Sequence, residues 1–299
     1  MTSETQWTTE SKEGVADLHM HTTASDGTIT VDRRINLAAD RGLNAIAITD
    51  HDVVSEMLSV PSSTIDGVEV IAGVEVRATT LDTKIELLGY FINPTNEGLI
   101  SMLEQVRGFR RKRNKQILEN VERETGLNIS YEELRRSVDG TVGRPHIADR
   151  LVTAGVVTSV QAAFDEYLAD DGDAFVPMKR LPASQIIETI HAAGGVASLA
   201  HPGRIRADIS TVESIVASLT VDGLDGIEAW YPYADQRSSA YAEIDISDAL
   251  VLADQFDLIP TGGSDCHGPG SGKFRQGEVR VGNELLETLR PSRCSADDL

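Results

Sequence analysis

The chain has 299 residues, enough to bury a large core. Its net charge is −20, and its basic residues are 21 Arg against 6 Lys; this argues against a broad nucleic-acid-binding surface and fits a surface adapted to high salt, where screening removes self-repulsion. No run approaches the roughly 18 apolar residues of a membrane span, the polar N-terminus lacks a signal-peptide core, and two cysteines give no disulfide framework, so a cytoplasmic protein with no membrane contact and no stable protein partner is expected.

Residues 1–14 are polar and read as a disordered tail. Val15–His21 reads as a strand whose period of two puts Asp17, His19 and His21 on one face. Ser25-Asp26-Gly27 is a turn, Val31–Arg41 a helix stopped by Gly42, and Ala45–Thr49 a buried strand ending at Asp50-His51. Val68–Val76 is the next strand, and Lys84–Ile92 is expected to pair as a hairpin. Stretch 97–179 then shows helical patterns and no good strand. Alternation resumes with a helix at 183–193 and a strand at Val196–Leu199 ending at His201. A helix near 210–219, a strand at Gly226–Trp230, a helix over 237–256 and a strand at Leu258–Pro260 lead to the Ser264–His267 loop. This order predicts one α/β domain from 15–96 and 180–290, with 97–179 as a helical insertion.

Five separated clusters carry imidazole, carboxylate or both, each on or just after a strand, and five of the seven histidines fall in them. The C-terminal ends of successive strands are where a barrel of parallel strands carries its chemistry. Imidazole and carboxylate without thiol suit Zn, Mn or Fe. One His-x-His pair is a weak signal; the joint arrangement predicts a multinuclear metallohydrolase.

In order along the chain, Asp17-Leu18-His19-Met20-His21, Ser25-Asp26-Gly27, Thr49-Asp50-His51-Asp52, Gly73-Val74-Glu75, Ala200-His201-Pro202-Gly203-Arg204 and Ser264-Asp265-Cys266-His267 resemble the motifs of the PHP (polymerase and histidinol phosphatase) family. Within it the chain is similar to the small phosphoesterases that include 3′,5′-nucleotide bisphosphate phosphatases and a 5′→3′ exoribonuclease. The resemblance runs from about residue 15 to about 282 and takes in Gly143-Arg144-Pro145-His146. It implies a distorted (β/α)7 barrel with a helical insertion, holding two to three divalent ions. Manganese is the first expectation, with zinc, iron or magnesium as alternatives. His19, His21, Asp26, His51, Glu75, His201, Asp265 and His267 carry over as ligands. Where relatives have a metal-binding His, this chain has Glu86 of Glu86-Leu87-Leu88-Gly89; a carboxylate also ligates a hard ion, so Glu86 is expected in its place, the alternative being an exposed Glu beside a two-metal site.

In the helix near 100–124, Met102, Val106, Ile117 and Val121 form an apolar stripe into which Arg110 and Arg113 fall, while Arg111, Lys112 and Lys115 lie outside it. Arg110, Arg113, Arg144, His146 and Arg204 are expected to bind substrate phosphate; snorkelling stems at the edge of the stripe are the alternative for the two helix arginines. His191, at a helix C-terminus, reads as structural, and Asp170-Asp171-Gly172-Asp173 as a solvated turn. Lys273 and Arg275 lie in a loop that either closes over substrate or is inert. The expected reaction is hydrolysis of a phosphomonoester, most simply a 3′,5′-bisphosphonucleotide, by a metal-bridged hydroxide. Asp265 would take a proton on a spare oxygen, and His201 or His267 would assist the leaving oxygen. Alternatives are 5′→3′ hydrolysis of short RNA with Trp230 and Tyr231 stacking on a base, histidinol-phosphate hydrolysis, and a non-catalytic polymerase-associated module.

Overall fold

The computed structural model describes residues 15–138, 142–233, 244–273 and 275–291. The expected N-terminal tail, residues 237–243 of the predicted helix and Cys294 lie outside the described residues. The chain divides into two compact units, Met1–Leu103 with Leu181–Leu299, and Glu104–Arg180.

The first unit alternates strand and helix, with two antiparallel interruptions. The strands are β1 (Ala16–Asp17), β2 (Ala45–Ile48), β3 (Ser62–Ile65), β4 (Val68–Ala72), β5 (Val74–Thr80), β6 (Thr83–Tyr90), β7 (Leu181–Pro182), β8 (Val196–Leu199), β9 (Gly226–Trp230) and β10 (Ile259–Gly262). They form one sheet in the order β1-β2-β4-β3 and another in the order β10-β9-β8-β6-β5-β7. β1-β2-β4 and β8-β9-β10 pair in parallel, whereas β3 with β4, β5 with β6, and β6 with β8 pair antiparallel. Two parallel bridges, Met20 to Cys266 and His51 to Glu75, tie the sheets to each other. β2 and β8 are buried along their whole length, which is why they read as unbroken apolar runs.

Local chemistry sets the helices between them. Thr30 caps the helix Val31–Asp40 by accepting from Arg33 N–H, and Asp208 caps Ile209–Val221 through Thr211 N–H; each cap contributes about 1 kcal/mol. The helix Ala183–Ala192 buries Ile186, Ile187 and Ile190, and Ile246–Gln255 buries Ala249, Leu252 and Ala253.

The strand read as Val68–Val76 is two strands, because Gly73 breaks it. A Cβ on Gly73 would meet Gly89 O at 2.8 Å and Ile48 O at 3.0 Å, so the chain passes through a gap that admits no side chain and changes sheet. The hairpin turn that follows is Leu81-Asp82, both at positive φ, the backbone that a two-residue hairpin loop requires. The strand expected over Val15–His21 keeps only Ala16–Asp17 in a ladder, because its later residues turn their backbone toward Gly262 and Cys266.

In the second unit Ile117, Val121, Leu134, Ile147, Leu151 and Leu168 form a core of their own. Asn114, where the apolar stripe crosses the arginine-rich turns, is buried and donates to Val142 O at 2.8 Å. Among the described residues no helix is long and apolar enough to cross a membrane.

Gly263 follows β10, and a Cβ there would collide with the backbone N and Cβ of His19. Gly263→Ala is expected to cost about 1–3 kcal/mol, as overpacking in a dense core does, and to lower the melting temperature of metal-free protein by several degrees. A thermal melt of the two proteins side by side checks this.

Candidate metal centre

Nine imidazole and carboxylate side chains of the first unit come together, six of them just past the C-terminal ends of its strands. His19 and His21 leave β1, His51 follows β2, Glu75 lies in β5, Glu86 in β6, His201 after β8, and Asp265 and His267 after β10. Asp26 comes from the turn that precedes the first helix. Four sets offer donor atoms within 4.8 Å of one another: His21, Asp26, His51 and His267; His19, Glu75 and His201; His19, His21 and Asp265; and His51, Glu75 and Glu86.

The donors press on one another in ways that a cation would relieve. His19 Nε2 and His21 Nε2 lie 3.3 Å apart. His51 Nδ1 and His201 Nε2 lie 3.0 and 2.9 Å from the two oxygens of Glu75. His21 Nδ1 and His51 Nδ1 are buried with no well-formed hydrogen bond among the described residues. Nitrogen and oxygen donors without thiolate, most of them inaccessible to water, fit Mn, Zn or Fe.

Protonation follows from the neighbours. Burial alone would push the His19 imidazole down, but Glu228 and Glu75 more than offset it and hold its pKa well above the usual value. Burial likewise opposes charge on His51, yet Glu75 and Asp26 raise it to about 9. His21, buried and beside His267, falls to about 3, and is therefore a neutral donor across the physiological range.

Several groups that orient the donors escaped the sequence reading. Glu228 of β9 is fully buried; it accepts from His19 Nδ1 at 2.9 Å and from His201 N–H at 2.8 Å. With Nδ1 thus protonated, His19 presents Nε2 to an ion. His267 Nδ1 donates to Asp265 O at 2.9 Å and presents its Nε2 in the same way. Arg34, fully buried, donates to His21 O at 2.6 and 3.0 Å and to Cys266 O at 2.8 Å, tying the two ligand loops by their backbones. The sequence signal for Glu228 is a carboxylate inside the apolar run Gly-Ile-Glu-Ala-Trp. Asp17 and Asp50 turn away from the donors. Asp17 accepts from Ser264 N and Oγ and from Gly277 N, and Asp50 from Thr22 and Ser25.

Asp265 has no spare oxygen. Its Oδ1 lies 3.3 Å from His21 Nε2, while Oδ2 accepts from Lys273 Nζ at 2.7 Å, Tyr231 OH at 2.8 Å and Arg204 Nη1 at 3.2 Å. Burial opposes its charge, but Lys273 and the neighbouring imidazoles hold the carboxyl well below the usual range. Trp230 and Tyr231 are only 6% and 2% exposed, so neither ring offers a face to a base. Arg275, in the loop that carries Lys273, is buried over the Tyr231 ring and donates to Ser264 O at 2.7 Å.

The remaining predicted residues lie in the unit Glu104–Arg180. Arg113 donates to Val176 O at 2.6 Å and stacks over Phe175; Arg144 donates to Leu168 O at 2.8 Å and stacks over Phe164. His146 caps its own helix by accepting Gly143 N–H on Nδ1 at 2.9 Å. Arg110 is half-buried. His191 pairs with Asp225 at 2.7 Å.

Comparison with known proteins agrees with this geometry. The PHP domain model matches residues 17–170. The chain belongs to the PHP domain family. It is 32% identical over 256 residues to a 5′-3′ exoribonuclease of Haemophilus influenzae, covering 85% of this chain and 90% of that one. It is 28% identical over 259 residues to a 3′,5′-nucleoside bisphosphate phosphatase of Chromobacterium violaceum, covering 86% and 88%. A crystal structure of a proposed metal-dependent phosphoesterase from Bifidobacterium adolescentis superposes with a TM-score of 0.72 at 28% identity, covering 92% of this chain and 94% of the other.

Glu228→Gln keeps the volume but removes the charge that fixes the His19 tautomer. Metal affinity is expected to fall roughly tenfold to a hundredfold, the usual cost of losing such a partner, with full content recovered at saturating metal. A competition titration against a chromophoric chelator measures it.

Proposed function

We propose that this metal-dependent phosphoesterase hydrolyses the phosphomonoester of a nucleotide that carries a second phosphate, a 3′,5′-bisphosphonucleotide fitting best. The observation that carries this reading is the meeting of Arg204, Lys273 and Tyr231 on one oxygen of Asp265, beside the donor sets for cations. Cations on one side and guanidinium, ammonium and phenol donors on the other make a site for a phosphoryl dianion.

His19, His21, Asp26, His51, Glu75, His201, Asp265 and His267 would hold the ions, manganese first among the candidates. Bound there, such ions supply an acidified water and neutralise charge on phosphoryl oxygens. The chain's own groups do the rest. Asp265 faces the imidazoles with one oxygen and fixes Lys273 and Arg204 with the other. Tyr231, its hydroxyl pushed far up by burial and by Asp265, keeps its proton and acts only as a donor. Lys273 takes the part first expected of His201 or His267: an ammonium held beside the reacting group is a better proton source for a leaving oxygen than an imidazole bound to metal. Arg110, Arg113 and Arg144, with His146, are assigned to the second phosphate on the match between guanidinium forks and phosphate oxygens.

A second reading, stepwise removal of nucleotides from the 5′ end of short RNA, is supported by the 32% identity to an exoribonuclease. Metal-loaded protein assayed on 3′,5′-bisphosphoadenosine, a 5′-phosphorylated oligoribonucleotide and an aryl phosphate separates the two. Turnover is expected to be highest on the bisphosphonucleotide, to vanish on chelation and to return with metal; preference for the oligonucleotide selects the second reading.

Arg110→Ala and Arg113→Ala are expected to lower kcat/KM on the bisphosphonucleotide by roughly tenfold to a hundredfold, the worth of a charge-assisted bond of about 1.5–3 kcal/mol. The aryl phosphate rate should change little. Equal losses on both substrates would show that these arginines only support the fold.

A further inference from the structure

In the donor set His51, Glu75 and Glu86 one carboxylate already holds a guanidinium from the neighbouring strand. Arg77 and Glu86 face each other across the β5–β6 ladder, and Arg77 Nε donates to Glu86 Oε1 at 2.8 Å. Glu86 Oε2 lies 3.4 Å from His201 Nε2, so both oxygens of this carboxylate already face nitrogen. The pair is 26% and 24% exposed, open enough for a ligand to reach and buried enough for the charge to count. Glu86 is the hydrogen-bond partner of Arg77 among the described residues, and it takes Nε rather than the terminal nitrogens.

We propose that Arg77 stands where a further ion would otherwise be needed: Glu86 anchors its guanidinium instead of ligating metal, and the terminal nitrogens bind a phosphoryl oxygen of the substrate. The charges agree. Beside Glu75 and Glu86 a divalent ion would face repulsion from the Arg77 guanidinium, whose Nε lies 2.8 Å from Glu86 Oε1. Burial opposes the Arg77 charge, but Glu86, Asp52 and Glu75 overcome it and keep the group protonated. An Arg cannot leave with a chelator, exchange for another metal or lose its proton. Its fork also grips phosphate at two oxygens, which a hydrated ion held by three side chains does not guarantee. Glu86 is then a positioning residue and Arg77 a binding residue.

The nature of the ligand rests on the phosphoester reading; the ion count does not. Manganese content of exhaustively loaded and dialysed protein is measured by elemental analysis, and inorganic phosphate binding to the loaded protein by calorimetry. The wild type is expected to hold two equivalents. Glu86→Gln should hold the same number, whereas Arg77→Met, which frees Glu86 to ligate, should gain close to one. The double variant R77M/E86Q should return to two equivalents and bind phosphate roughly tenfold to a hundredfold more weakly than wild type, the loss of one charge-assisted bond. Loss of an equivalent in Glu86→Gln would overturn the proposal by making Glu86 a ligand. Unchanged phosphate binding in the double variant would overturn the binding role of Arg77. Absence of turnover on every phosphate ester would instead defeat the phosphoester reading and leave the ion count standing.

Discussion

Gathering five imidazoles and four carboxylates into overlapping sets, each with donor atoms within 4.8 Å of one another, is the constraint to which the rest of the first unit answers. Each charge taken from water costs several kcal/mol unless it is paired and hydrogen-bonded. The structure offsets that cost with carboxylate–imidazole contacts inside the cluster and with a ring of fixed partners around it. Glu228 holds two ligand-bearing segments at once, and Asp17 and Asp50 hold the backbones of two others. Arg34 brings a buried cation to carbonyl groups, where no carboxylate competes with the ions. The cluster and its scaffold are thus one electrostatic unit.

The backbone shows the same demand. Asp52, His201 and Asp265 have φ of 58°, 26° and 50°, a region that non-glycine residues enter at a cost of about 1–3 kcal/mol. All three stand at or beside donors that must turn back over a strand end. Strain of this kind persists only where the surroundings over-determine it. The packing of Gly263 on His19, and of Gly27 on the backbone of His21 and Thr22, shows how tightly these loops are held.

Much of this was legible in the chain, and the failures have physical causes. Strand ends were located because apolar runs of four or five residues stop abruptly at His or Asp, as at Ile48 and Leu199. The period-two argument placed Asp17 with His19 and His21, yet it bonds Ser264 and Gly277, since the ladder ends at Asp17 and the alternation does not continue. β3 was missed because Ser62-Ser63-Thr64-Ile65 is a polar edge strand with no core face to mark it. The break at Gly73 and the engagement of Asp265 depend on residues distant in sequence, Gly89 in one case and Tyr231 and Lys273 in the other. No local pattern encodes those approaches. Glu86 shows the opposite: its departure from the expected histidine is visible in the chain, but its pairing with Arg77 follows from the register that sets the two opposite each other.

The closure between β1 and β10 bears on how the chain is made. Leu18 N–H bonds Gly262 O, Met20 bridges Cys266, and Val15 and Ala16 bond Val281. The β1 segment therefore completes its pairing only once residues 262–281 have been made. Units fold as they emerge, N-terminal parts first, but the donors on either side of this seam stay apart until about residue 281 is free. The donor sets that combine residues from both sides of the seam, such as His21, Asp26, His51 and His267, are therefore completed late, whereas His51, Glu75 and Glu86 come from the N-terminal part alone.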